Sequence, residues 1–387
     1  MHNNIINGDK AQLIKFIRKA KIFTQSEQVK KFERMWSKWL GVKYSVFVNS
    51  GSSANLITIE ALKNLYGGGE VIVPTITWNS DLSSVIRMGF KPIFVDINLK
   101  NLSMSISEIL KKINSKTKAV FITHVLGFNA LNQKLISELK KRKIVLIEDV
   151  CESHGAFFKN RKLGTYGLIS NFSFYYAHHL STIEGGMIST NNFKIYNHLL
   201  MLRSHGILRE IQDVKLKNKT IKKYKNFLSE DFIFPIKGYN FRNTELGAVI
   251  GINQLKRLDK NNIIRNRNFQ FFLKNLNNDK YIVNFDTKGM SNYALIIVFK
   301  KKYANLSFRK KFERILKKSK VEFRRGTAGG GNQLRQPYLS EHLIKNHYKK
   351  FPNTEYVHNF GYYLGNFPQL TLTKIKKLCV LVNKIKK

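Results

Sequence analysis

Three short stretches of the sequence hold residue types suited to chemistry, and each follows an apolar run. In "IEDVCESHG", Glu148 and Asp149 end such a run. A carboxylate at the carboxyl end of a strand binds a metal, a ribose or a ring nitrogen, or it caps a loop, and spacing does not choose among these. In "NSGSSA", residues 49–54, Gly51, Ser52 and Ser53 stand where a helical pattern begins. Free backbone N–H groups and the positive helix end favour a phosphate there, although an ordinary N-capped helix reads the same way. In "SFYYAHHLSTIEGG", residues 173–186, an apolar run turns into a polar loop at His178 and His179. Histidine has an unperturbed pKa of about 6.5, which suits proton shuttling near neutrality. Being neighbours, the two rings point in different directions, so at most one of them faces a ligand directly.

The elements that must position these residues alternate. "SEQVKKFERMWSKWLG" has helical spacing, with Ser26 as N-cap and Gly41 as stop. Strand patterns "YSVFV", "EVIVP", "PIFVD", "AVFIT" and "IVLIED" then alternate with helical patterns beginning near Asn49, Trp78, Ser105 and Asn132. This order predicts βαβ units, a mostly parallel sheet and helices on both faces. Ligands of such sheets sit beyond the carboxyl ends of the strands, which selects residues 49–53, 74–78 and 148–154. The segment 206–240 is basic and poorly periodic and reads as a long loop. After residue 260 the order changes to "NYALIIVF", "SFRKKFERILKKS", "VEFR" and the glycine-rich "RGTAGGGNQLRQP". The expected domains are therefore 1–260, large, and 261–387, a smaller α+β domain.

A chain of 387 residues with 43% apolar content fills such a core. No run reaches the roughly 18 apolar residues of a membrane span, and the N-terminus lacks the apolar core of a signal peptide, so a cytoplasmic protein with no membrane partner is expected. Two cysteines cannot supply a disulfide framework or a thiolate metal site, and no histidine–carboxylate metal spacing occurs. No metal is expected. The formal net charge of +42 draws anions, phosphorylated metabolites among them. The densest basic run, "VKLKNKTIKKYKNF" at 214–227, belongs to no recognisable nucleic-acid module. No nucleic-acid partner is expected; a basic nucleic-acid binder or a non-catalytic binding protein is the alternative of another class.

The ordered landmarks "FVNSGSSANL", "VIVPTITWNS", "IEDVCESHGA", "GTYGLISNFSFYYAHHLSTIEGGMI", "LRSHG" and "GYNFRNTELGAVIGINQLKRLD" resemble the DegT-type sugar aminotransferase family, from about residue 27 to 260. The resemblance implies a fold type I pyridoxal-phosphate enzyme: an aspartate aminotransferase-like three-layer α/β sandwich with a smaller C-terminal α+β domain. In that family a lysine six residues before the Glu of "EGG" bonds the cofactor covalently. Counting back from Glu184 reaches His178. Imidazole cannot make that bond, but a neutral imidazole is a competent base where an ordinary lysine, with a pKa of about 10.4, is not. This exchange marks the sugar 3-dehydratases of the family. A second 3-dehydratase type carries an iron–sulfur cluster on four cysteines, which this chain does not have.

Carried over residue by residue, the resemblance makes His178 catalytic and Asp149 the partner of the pyridine nitrogen. Trp78 stacks on the ring, Glu152 lies near the phenolic oxygen, and Gly51, Ser52 and Ser173 hold the phosphate. Asn240 reaches the phosphate of a neighbouring subunit, which implies a homodimer with shared active sites. Arg242, Arg324 and Arg325 are candidate substrate contacts, for phosphate or for the carboxylate of L-glutamate. The implied reaction is removal of the C3 hydroxyl from a nucleotide-linked 4-keto-6-deoxyhexose, with GDP-4-keto-6-deoxy-D-mannose foremost. Pyridoxal 5'-phosphate and pyridoxamine 5'-phosphate serve as cofactor, glutamate is consumed, and O-antigen or another surface polysaccharide is the destination. A nucleotide-sugar aminotransferase is the alternative.

Overall fold

The computed structural model describes residues 4–342 and 345–387. Helices α1 (Asn7–Ile17) and α2 (Glu27–Leu40) lead into β1 (Tyr44–Val48) and α3 (Gly51–Tyr66). The alternation continues through β2 (Glu70–Pro74), α4 (Asn79–Arg87), β3 (Lys91–Val95), α5 (Ile106–Lys112), β4 (Thr117–Thr123), α6 (Gln133–Lys141) and β5 (Val145–Asp149). A small hairpin, β6 (Phe157–Phe158) and β7 (Arg161–Lys162), precedes β8 (Ile169–Ser173) and β9 (Gly186–Thr190). Helices α7 (Phe193–Arg203), α8 (Val214–Tyr224), α9 (Glu245–Leu255) and α10 (Leu258–Asn275) follow. The chain ends in β10 (Ala294–Val298), α11 (Leu306–Lys318), β11 (Phe323–Arg325), α12 (Pro352–Phe360), β12 (Gly361–Gly365) and α13 (Leu372–Asn383).

Seven strands form the main sheet in the order β1-β9-β8-β5-β4-β2-β3. The run from β8 to β3 is parallel, whereas β9 pairs antiparallel with both β8 and β1. This is the α/β sandwich expected, with one reversed strand. β2 and β8 are buried at every position, as continuous apolar strands between helical layers must be. The second sheet, β10-β12-β11, is antiparallel and carries the C-terminal α+β unit. Helix α10 runs without a break through residue 260 and contributes Phe269 and Phe272 to the core beneath that second sheet.

Two local expectations are corrected. The basic segment 206–240 is not all loop: residues 214–224 form α8, capped by the Asp213 carboxylate on Leu216 N at 3.0 Å. Its spacing is amphipathic, but no residue of it is buried, so the apolar signal was faint. Ser26 precedes α2, yet its side chain makes no cap. The Glu245 carboxylate instead reaches across from α9 and accepts from Ser26, Gln28 and Val29 N–H at 2.8–2.9 Å, a long-range cap invisible to local spacing. Gly41 ends α2 as expected, with a φ of 92° that only glycine adopts freely.

Candidate active site

The parallel strands deliver their carboxyl ends to one edge, where the N-terminus of α3 also points. Alternation along β5 sends its last two side chains to opposite faces. Glu148 turns inward. It accepts from Tyr166 N at 2.9 Å, Gly167 N at 2.6 Å and Gly164 N at 2.8 Å, and its carboxylate meets His124 Nε2 at 3.2 Å. It is the loop cap among the readings open to a carboxylate there. Asp149 is buried at the sheet edge, its Oδ1 accepting from Cys151 N at 2.8 Å and its Oδ2 from Asn55 Nδ2 at 3.4 Å. No Lys or Arg pairs with it among the described residues, so a buried acceptor is ready for a cationic partner.

Ser50 caps α3, accepting from Ser53 N at 3.0 Å, and Gly51 and Ser52 open the first turn, whose N–H groups have no intrahelical partner. A Cβ on Gly51 would lie 2.6 Å from Ser173 Cβ, so glycine is what lets the helix end meet the end of β8. Gly51, Ser52 and Ser173 thus come together as a small polar cradle at a positive helix end. Beside it, Arg242 is the bridge partner of Val48, and its Nε donates to Asn240 Oδ1 at 3.1 Å. Both side chains are exposed.

Trp78 precedes α4 with 60% of its surface exposed, unlike the fully buried Trp36, so its ring has a free face at this edge. Over the adjoining backbone folds the glycine-rich loop 326–331. A Cβ on Gly329 would come 2.0 Å from the Thr77 carbonyl, and its φ is 58°. Gln333 N donates to the Thr75 carbonyl at 2.9 Å, fixing the loop there.

His178 lies between β8 and β9, in a segment without any lysine. Its ring is half-buried, with Nδ1 closed off and unpartnered, 6.0 Å from the His154 ring and 5.5 Å from Tyr293. Burial, with the Arg265 guanidinium adding to it, pushes the imidazole down to about 3, so it is neutral throughout the physiological range. His179 points elsewhere: it is buried, and its Nε2 meets the Ser291 carbonyl at 3.1 Å. The Asn4 side-chain amide donates to the His178 carbonyl, so the N-terminal segment pins the histidine's backbone. Glu152 accepts from Leu126 N at 2.8 Å, and burial, opposed by that bond and helped by Asp149, raises it to about 7.

The two arginines of β11 part company. Arg324 lines a cavity of about 510 Å³ with Ala177, Arg265, Tyr293 and Tyr363, while its guanidinium meets Glu322 at 2.8 Å. Arg325 faces Glu313 of α11 at 3.7 Å. Sequence reasoning missed Asp81, Asn55, His154, Arg265 and Tyr293. The fold brings them in from five separate segments; Asn55 and His154 lie inside sequence motifs but carry no spacing that assigns them a role.

A model of the DegT/DnrJ/EryC1/StrS aminotransferase family matches residues 4–383. The chain belongs to that family. Among its relatives, the GDP-4-keto-6-deoxy-D-mannose 3-dehydratase of Escherichia coli O55:H7 is 34% identical over 358 residues, 90% of this chain and 89% of the relative. The counterpart of Yersinia pseudotuberculosis is 31% identical, covering 94% and 92%. A solved GDP-4-keto-6-deoxymannose-3-dehydratase with PLP and glutamate trapped as a geminal diamine has a TM-score of 0.87 at 30% identity, covering 98% of each chain.

The residues present fit the family's cofactor. The helix-end cradle suits a phosphate, the cation-free Asp149 suits a protonated ring nitrogen, and the open face of Trp78 suits a planar ring. Among the described residues no cluster of histidine, cysteine and carboxylate could hold a metal.

Proposed function

We propose that this protein is a pyridoxal/pyridoxamine-phosphate-dependent 3-dehydratase of a nucleotide-linked 4-keto-6-deoxyhexose, GDP-4-keto-6-deoxy-D-mannose. It uses L-glutamate to regenerate the amine form of the cofactor and releases 2-oxoglutarate and ammonia. The observation that carries this reading is a neutral imidazole, His178, six residues before Glu184, the position at which the resemblance to the family leads one to expect an amine. The relatives and the solved structure cited above, named for that reaction, support it.

The bound cofactor supplies the electron sink that lets a C–H and then a C–O bond break next to it. The chain supplies the rest. Gly51, Ser52 and Ser173 anchor the phosphate, Trp78 covers the ring and Asp149 keeps the pyridine nitrogen protonated. His178, neutral and held from its backbone by Asn4, takes a proton at an imidazole nitrogen and returns it. Having no amine, it cannot displace the sugar, so the hydroxyl has time to leave. Glu152, raised to about 7, serves as a protonated partner for the phenolic oxygen near neutrality. Arg242 and Arg324 take the anionic ends of the substrates.

The same reading makes the protein a homodimer that shares its sites. Asn240 is exposed in its own chain, and the segment before it leaves Phe227, Phe232 and Phe234 at least half exposed, as a subunit interface would.

The deciding experiment is incubation with glutamate, pyridoxal phosphate and GDP-4-keto-6-deoxy-D-mannose, followed by mass analysis of the sugar. A product lighter by one oxygen, with ammonia released, is expected. A new sugar amine would assign the aminotransferase instead, and unchanged sugar would reject both.

A further inference from the structure

Asp81, in the first turn of α4, has no part in the chemistry described so far, yet it stands against the residue on which that chemistry depends. It is fully buried. One of its carboxyl oxygens meets Asn55 Nδ2 at 2.5 Å; the other meets the hydroxyls of Thr77 and, at 2.8 Å, Thr123. The same Asn55 amide reaches Asp149 Oδ2 at 3.4 Å, so one donor spans both carboxyl groups. Asn55 is itself held, its carbonyl accepting from Asn171 Nδ2 at 2.8 Å, while Asn171 accepts from Thr58.

Charge accounting then constrains the pair. The other titratable groups that face Asp81 are Cys151, beyond the end of β5, and Tyr338, after the glycine-rich loop; burial raises both, so both are neutral near pH 7. No Lys or Arg reaches either carboxyl among the described residues. Two buried carboxylates without a cation cannot both stay ionised. Asp81 is the deeper of the two, and burial and then the charge of Asp149 push it well above the usual carboxylate range.

We propose that Asp81 is a positioning residue for Asp149: a neutral carboxylic acid that donates a hydrogen bond to it, fixes its orientation and leaves the pair's single negative charge on Asp149. The inference deepens the reading of Asp149 as the partner of the pyridine nitrogen. With the second carboxyl silent, the pyridinium meets one anion, not two. Asp81 thereby sets how strongly the ring nitrogen holds its proton.

The first test needs no turnover. Difference infrared spectra of wild type against Asp81→Asn, with and without pyridoxamine phosphate, should show a protonated-carboxyl C=O band that the variant lacks and that Asp149→Asn shifts. Absence of the band from wild type overturns the proposal, whatever becomes of the functional reading. The second test titrates the absorbance of bound pyridoxamine phosphate. Asp81→Asn, which keeps shape and a donor but carries no charge, should leave the ring-nitrogen titration in place. Asp81→Val, which removes the donor, should move it by about one pH unit, tenfold in the protonation constant. A downward move of that size in Asp81→Asn would show that Asp81 is ionised in wild type and would overturn the proposal. So would an unmoved titration in both variants. If Asp81→Val does not fold, the infrared band and the Asn titration still decide. A titration that ignores Asp149→Asn would instead reject Asp149 as the ring's partner.

Discussion

Glu148 and Asp149 are adjacent in the chain, yet their carboxylates serve opposite sides of the sheet. Glu148 binds three backbone N–H groups and His124, whereas Asp149 waits at the strand end, accepting from Cys151 N and Asn55 Nδ2 and meeting no Lys or Arg among the described residues. The pair separates stability from chemistry. Glu148→Gln keeps one acceptor but loses charge-assisted bonds to buried donors, which are worth about 1.5–3 kcal/mol each. A loss of about 3 kcal/mol in urea denaturation is expected, with near-normal turnover in the folded fraction. Asp149→Asn should do the reverse: normal denaturation, and turnover lower by on the order of 10² because the ring nitrogen is no longer held protonated.

His178 decides what is done to the sugar. His178→Asn removes the base while keeping the size of the side chain, and turnover should fall about 10²–10⁴-fold with cofactor affinity little changed. His178→Lys should abolish release of ammonia and create a covalently held cofactor that borohydride fixes. Retained dehydration in the lysine variant would remove His178 from the mechanism.

Much of this site was legible because its parts sit in continuous motifs. Glycine at a helix start, a carboxylate at a strand end and a histidine at a fixed count from Glu184 are all local signals, and alternating periods announced the sheet. What stayed hidden depends on which segments the sheet brings together. Thr77 comes from the β2–α4 connection, Asp81 from α4, Thr123 from the end of β4 and Asn55 from α3, and only strand order makes them neighbours of Asp149. Helix α8 was hidden for another reason: none of its residues is fully buried, and Ile221 and Tyr224 pack only partly against a small apolar cluster with Leu208 and Ile233.

Glu152 makes stability depend on pH. Its folded value, about 7, lies above the ordinary 4.5, so the folded state binds a proton that the unfolded state has released between those two values. Its favourable contribution is therefore complete below about pH 4.5, is lost as pH rises toward 7, and is flat above. Glu152→Gln cannot ionise and should match wild type in acid yet be more stable by about 3 kcal/mol at pH 8. Thermal melts across pH 4–8 check this, and parallel curves for the two proteins would show that Glu152 titrates normally.

Gly51 carries the last prediction, because its role is spatial. Its missing Cβ allows the first turn of α3 to approach Ser173; an added methyl would sit 2.6 Å from Ser173 Cβ and 3.0 Å from its Oγ. Neither partner gives easily, since Ser173 ends a fully buried strand and α3 packs along the sheet. Gly51→Ala should therefore push the helix end away from the serine and open the cradle. The loss falls on phosphate anchoring and not on the proton-transfer step. The dissociation constant for pyridoxamine phosphate, followed by quenching of Trp78 fluorescence, should rise about tenfold, equivalent to about 1.4 kcal/mol. Turnover at saturating cofactor should stay within about threefold of wild type, a smaller change than the affinity loss. Equal losses in both would mean that the helix end steers the reacting atoms as well as the phosphate.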